Sequence, residues 1–169
     1  MKLYCPVQPI QHYKIDTTYC DVYYQKLFHT YHSGYDWNGK GGGDTDYGDN
    51  IYCVYDGVVS DVAIGQGKWG LIVRIWHPGL NIFSRSAHLM EHPSNALVKE
   101  GQQVKRGQLI AHMGNAYGAW VSHLHQDFQI PGEGQTFDYW REGLDNAALS
   151  DVHKRYVDPR TLGVKFGWE

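Results

Sequence analysis

The run Leu71-Ile72-Val73-Arg74-Ile75-Trp76-His77, followed by Pro78-Gly79-Leu80-Asn81 and then by Ile82 to His88, narrows the fold more than any other stretch. Two runs rich in β-branched and aromatic residues, joined by four turn-forming residues, read as an antiparallel hairpin. Other short strands are expected around it. Ile51 to Tyr55 and Gly57 to Ile64 read as consecutive strands, and Gly65 to Gly70 as a turn. Val98 to Gly114 reads as short strands around Gly101 and Gly107, and Ser122 to Ile130 as a further strand. Residues 1–31 are polar and Tyr-rich, with Pro6 and Pro9 as punctuation. Within them, Asp21 to Phe28 reads equally as strand or short helix. Residues 131–143 look irregular. Asn146 to Tyr156 is the one fair helix candidate, ending before Asp158-Pro159, where helix is disfavoured. The expected class is mainly β: an antiparallel sheet with long loops and one short C-terminal helix. No repeat or domain boundary interrupts residues 1–169, so a single domain is expected.

Composition excludes some functions. The net charge of −3 gives no basis for nucleic-acid binding or for capture by an anionic membrane. No apolar run approaches the roughly 20 residues of a transmembrane helix. The N-terminus lacks the apolar core of a signal peptide. The three cysteines, Cys5, Cys20 and Cys53, cannot all pair and are expected to be free thiols. The 13 Tyr and 6 Trp suit either strand formation or a groove that binds a sugar-peptide polymer.

The chemistry concentrates in Ser122-His123-Leu124-His125-Gln126 and in His32-Ser33-Gly34-Tyr35-Asp36. In a strand, His123 and His125 point to one face and Leu124 to the other. His32 and Asp36 share a face whether the backbone is extended or helical, and Gly34 argues against helix. Three imidazoles and a carboxylate are more than one metal site needs. Two His and one carboxylate with an open fourth position form the usual ligand set of a catalytic zinc.

This pair of motifs resembles the H-x-x-x-D and H-x-H of the LytM/lysostaphin-type zinc endopeptidases, family M23. The path between them is similar too. Asp56-Gly57-Val58-Val59, the Leu71–Leu89 hairpin, the Val98–Gln108 turn pair and Gly114-Asn115 follow in the family's order, covering about residues 30–130. The resemblance implies an antiparallel groove with one Zn²⁺ held by His32, Asp36 and His125, and His88 and His123 as catalytic histidines. It also implies hydrolysis of peptide bonds in the stems or cross-bridges of bacterial peptidoglycan. The peptidase would act as a monomer, with no membrane insertion. Loops 37–50 and 115–121 are the expected substrate contacts, the first as a mobile rim. Without a signal peptide, release from a phage-infected cell or carriage on a virion is the expected route to the wall. Two other classes fit the same resemblance: an inactive wall-binding or hydrolase-activating module, and a structural phage tail component.

The chain departs from the family pattern in several places: the loop after Asp36 is longer, and Gln126-Asp127 stand where many relatives have an apolar residue and then Glu. No F-G-x-R element precedes His32, and Ser86 stands where the family has a Tyr two residues before the hairpin's His. Tyr35, Tyr47 and Tyr117 are candidates to supply the missing phenol. Asp127 shares the face of His125 and either orients an imidazole or lies as a solvated charge. His77 reads as a structural or exposed residue at the hairpin turn. His12, His29, His92, His112 and His153 match no motif.

Overall fold

The structure, a computed structural model, describes residues 2–65, 67–90, 92–132 and 149–169. Most of the stretch 131–143 and the first three residues of the expected helix at 146–156 lie outside the described residues. The hairpin is the centre of the fold. Strand β5 (Leu71–His77) pairs antiparallel with β6 (Ile82–Leu89), His77 opposite Ile82 and Leu71 opposite Leu89. Asn81 closes the turn with a left-handed φ of 55°, a conformation Asn adopts more readily than most residues. Strand β4 (Gly57–Ile64) pairs with β5 on one side, and β9 (Leu124–Gln129) with β6 on the other. The sheet continues through β2 (Gly34–Gly39) to β1 (Tyr13–Thr17), and ends at its far edge on β7 (Gln103–Val104). The seven strands run in the order β1-β2-β9-β6-β5-β4-β7, with every pairing antiparallel. A second sheet pairs β3 (Asn50–Tyr52) with β8 (Leu109–His112).

Side chains alternate across the pleat, so the large sheet has two distinct faces. Trp37, Val59, Val73, Ile75 and Leu124 join Ile51, Ile110 and Met113 in one apolar cluster, which binds the small sheet to the large one. The opposite face of the four central strands carries a row of charges. Asp127 faces Arg85, Arg85 faces Arg74, and Arg74 faces Asp61 across β9, β6, β5 and β4. Arg85 forms a close ion pair with Asp127, and Arg74 reaches Asp61 at 3.4 Å. The Arg74 guanidinium also lies 3.8 Å from the centre of the Phe83 ring. Arg74, Arg85 and Asp127 are buried, so each guanidinium depends on its carboxylate to offset desolvation.

Two strands approach closely where the functional motifs meet. A Cβ on Gly34 would sit 2.1 Å from the backbone oxygen of Gln126. Only glycine therefore lets β2 lie against β9 with Asp36 opposite His125.

Helix α1 (Val22–Phe28) resolves the open reading at 21–28. The Asp21 side chain accepts the N–H groups of Tyr23 and Tyr24, and His29 ends the helix in a left-handed conformation. Helix α2 (Leu149–Arg155) lies inside the expected C-terminal helix. Helix α3 (Pro159–Phe166) follows, capped by Asp158. The proline that ends one helix opens the next, because its missing N–H costs nothing in a first turn. The structure thus adds two helices, and strands β1 and β2, to the expected elements. None of the helices among the described residues is long and apolar enough to cross a membrane. Cys5, Cys20 and Cys53 are free.

His77 is structural and buried rather than exposed. Its Nδ1 lies 3.1 Å from the Asp56 carbonyl and its Nε2 2.7 Å from Ser84 Oγ. Burial pushes its imidazole down to about 4 from 6.5. As pH falls through that window, the unfolded chain takes up a proton that the folded chain refuses. Stability should therefore drop by about 3 kcal/mol between pH 6.5 and 4 and level off below. Urea unfolding across this range, with chelator present in every sample, measures it against His77→Gln. Equal pH dependence in the two chains would refute it.

Candidate metal centre

Three side chains from three places in the chain converge on the rim of the large sheet. Asp36 comes from β2 and His125 from the facing position on β9. His32 arrives from the segment between α1 and β2. His32 Nε2, Asp36 Oδ1 and His125 Nδ1 lie 3.0 Å from one another. They form the one group of His, Cys, Asp or Glu side chains among the described residues arranged to hold a metal ion. Each histidine donor is prepared from behind. The other nitrogen of His32, Nδ1, donates to the Thr18 carbonyl at 3.1 Å, leaving Nε2 as a lone pair. The other nitrogen of His125, Nε2, donates to Asp127 Oδ2 at 3.2 Å, leaving Nδ1 as a lone pair. Two lone pairs and a carboxylate oxygen at 3.0 Å repel unless a cation lies between them. Zinc bonds of about 2.0–2.2 Å in a tetrahedral arrangement put donors about 3.3 Å apart, so the set fits that ion.

Asp127 is buried and orients the imidazole; it is not a solvated strand charge. It also accepts from Ser33 Oγ at 2.9 Å and from Arg85. Burial alone would raise the Asp127 carboxyl, but the Arg85 guanidinium and His125 hold it at about 2. Burial would likewise raise Asp36, yet the two neighbouring imidazoles keep it well below the usual carboxylate range. In metal-free His125, burial lowers the imidazole, and the carboxylates of Asp127 and Asp36 more than reverse this, so it rises above 6.5. Protons and metal would compete for the same Nδ1. Metal affinity should be full above that raised value and fall as pH drops through it. Chelator competition from pH 8 to pH 5 measures the effect, and constant affinity over that range would exclude histidine ligation.

His123 lies one residue before β9. Its Nδ1 donates to the Val121 carbonyl at 2.7 Å, and its Nε2 stands 3.8 Å from Asp36 Oδ1, outside the 3.0 Å triangle. Strict alternation along β6 would send His88 to the face opposite Ala87, which pairs with His125. A register shift and a left-handed φ of 60° re-aim it. Its Nδ1 lies 3.2 Å from the Trp69 carbonyl and its ring stacks on Trp69. The His88 and His123 rings are 4.7 Å apart. Burial, and then the nearby His123 and His125 rings, depress His88 well below 6.5, so it remains neutral.

These groups lie at the bottom of a cleft of about 530 Å³. Tyr24 and Phe28 of α1 form one wall, and Lys68, Trp69, Trp120 and Val121 the other. Phe28 and Trp120 approach across it with ring centres 6.2 Å apart. From the expected loop 115–121, Trp120 and Val121 line the cleft; from 37–50 only Asn38 does, apart from Asp36 just before it. Residues 37–39 belong to β2, and the remainder is anchored. Asp44 accepts from Ser122 N at 2.7 Å, Asp46 is buried, and Gly48 and Asp49 bond to Met113. The segment expected as a mobile rim is therefore a set of turns, exposed over 40–45 and tied at Asp44 to Ser122 and at Gly48 and Asp49 to Met113. Tyr35, Tyr47 and Tyr117 do not line the cleft, whereas Tyr24, 4.9 Å from the His32 ring centre, does. Sequence reading missed Tyr24 because 21–28 was open between helix and strand.

Residues 30–139 match the family model for Peptidase family M23. An "Uncharacterized metalloprotease" of Haemophilus influenzae is 40% identical over 77 residues, which are 46% of this chain and 15% of that protein. Lysostaphin from Staphylococcus simulans superposes with a TM-score of 0.64 at 17% identity, over 98% of this chain and 54% of that one. A zinc-containing peptidase from Vibrio cholerae superposes with a TM-score of 0.55 at 25% identity, over 76% of this chain and 36% of that one. The chain therefore spans only part of these proteins. Strand β1 and helix α1, which contributes a cleft wall, precede the matched residues.

Proposed function

Because this chain belongs to peptidase family M23, we propose that it is a zinc-dependent endopeptidase that hydrolyses peptide bonds in bacterial peptidoglycan. The observation that carries this reading is the 3.0 Å triangle of His32, Asp36 and His125 on the floor of a peptide-sized cleft. Zinc bound there would supply Lewis-acid activation of a water and of the scissile carbonyl. His88 and His123 each commit Nδ1 to a backbone carbonyl, so each presents an Nε2 lone pair to the cleft. One of them takes the attacking water's proton and passes it to the leaving amine. His88, held neutral by burial, suits that first role; His123, after taking a proton from solvent, would donate to the oxyanion. Tyr24 lines the same cleft, 4.9 Å from the His32 ring centre, and is the candidate for the role of the Tyr missing at Ser86. Aromatic walls exclude water around the reacting bond.

Retention of three donors with prepared lone pairs favours catalysis over an inactive wall-binding module. A phage origin, with release from the host cell or carriage on a virion, remains part of the proposal, as does a monomer. Digestion of purified peptidoglycan by the zinc-loaded protein, with mass analysis of the fragments, tests the reading. New amino termini within the peptide are the expected result, abolished by chelator and restored by zinc. Intact peptide, or cleavage indifferent to chelator, would overturn it.

A further inference from the structure

Among the described residues, Lys68 is the one cationic side chain that lines the cleft, and apart from Asp36 in the donor set the one formally charged group there. It is fixed at both ends by one residue. Its carbonyl accepts the Trp120 Nε1–H at 2.9 Å, and its ammonium lies 4.7 Å from the centre of the Trp120 ring. Among the described residues no carboxylate lies within ion-pair distance of it. A ring face attracts an ammonium but leaves its N–H donors without hydrogen-bond acceptors. The next residue, Trp69, stacks on His88 and meets His125 edge-on at 5.1 Å. Lys68 therefore stands at the cleft wall one residue from the groups that border the donor set, with its direction set before any ligand arrives.

We propose that Lys68 is a specificity-determining residue that selects peptides carrying a free carboxylate close to the bond that is cut. This rests on the peptidase reading above and narrows it. An uncharged oligoglycine bridge offers nothing to a preoriented ammonium. A stem-type peptide with a free carboxylate does.

The test measures binding, so that it stands apart from turnover. Zinc-loaded His123→Ala protein is titrated with three probes: a D-alanyl-lysyl cross-linked peptide with its C-terminal carboxylate free, the same peptide as the carboxamide, and pentaglycine capped at both ends. The expected result is about fivefold tighter binding of the carboxylate form, the scale of a partly exposed ion pair. That preference should shrink in 0.5 M salt, as screening shortens to about 4 Å. It should vanish when Lys68→Ala is added and survive Lys68→Arg. Equal affinity for carboxylate and carboxamide, a preference that persists in Lys68→Ala, or pentaglycine bound as tightly as the carboxylate peptide would overturn the proposal. Failure of the wild-type protein to cut any probe would count against the peptidase reading, while the binding comparison still decides the role of Lys68.

Discussion

Replacing His125 with alanine should empty the metal site and abolish activity, whereas His123→Ala and His88→Ala should keep the metal and lose the rate. A catalytic zinc takes three protein ligands and leaves its fourth position open. His32, Asp36 and His125 supply three donors at mutual distances of 3.0 Å, and His123 Nε2 stands 3.8 Å from Asp36 Oδ1. Removing His125 deletes one donor and leaves the Asp127 and Asp36 carboxylates without their shared imidazole. Removing His123 or His88 takes away a proton-transfer or oxyanion group, which costs on the order of 10²-fold or more in rate. Zinc content by elemental analysis, measured beside the rate for each variant, decides the matter. A metal-free His123→Ala, or a fully active His88→Ala, would reassign the roles.

The second large effect is expected at Asp127, which touches no substrate. Asp127→Asn should weaken metal binding by about 10–100-fold, because His125 loses the carboxylate that fixes its tautomer and orientation. The same change deprives the buried Arg85 guanidinium of its carboxylate, a loss of about 3–5 kcal/mol in stability. The two losses can be separated. Arg85→Met combined with Asp127→Leu replaces the ion pair by apolar groups and should recover most of the stability. Metal affinity should stay low in that double variant, since His125 Nε2 still lacks the carboxylate. Chelator competition and urea unfolding on the single and double variants measure both quantities. Recovery of metal affinity along with stability would show that Asp127 matters only to folding.

The central sheet was legible because its information is local. The 71–88 hairpin declares itself through β-branched residues around Pro78-Gly79, and the two His motifs through their spacing together with the family resemblance of the path between them. The fold could be read that far without any three-dimensional contact. The cleft walls were less legible. Tyr24 and Phe28 lie on a seven-residue helix with no buried side chain, so no apolar stripe announces it. The Gly-Asp segment after Asp36 looks like a mobile loop in composition. Its order comes from long-range bonds, such as Asp44 to Ser122, that no local pattern encodes. His88 reaches the cleft through a left-handed backbone that breaks strand alternation, so periodicity would have placed it on the wrong face. Strand β1 is mostly exposed and polar, and it owes its conformation to pairing with β2.

The charge row Asp61-Arg74-Arg85-Asp127 also bears on what the ion does for the chain. A slip of one residue in any of these four strands would move a buried guanidinium away from its carboxylate. Strand register is thus set by the polypeptide itself, and that register places Asp36 across from His125. A chain whose strand register does not depend on the ion should stay folded when the ion is withdrawn, unlike small zinc modules that fold only around their metal. Such a site would behave as a socket. Its ion could be withdrawn and exchanged for cobalt or another divalent metal in the native protein, with the empty form waiting folded between the two.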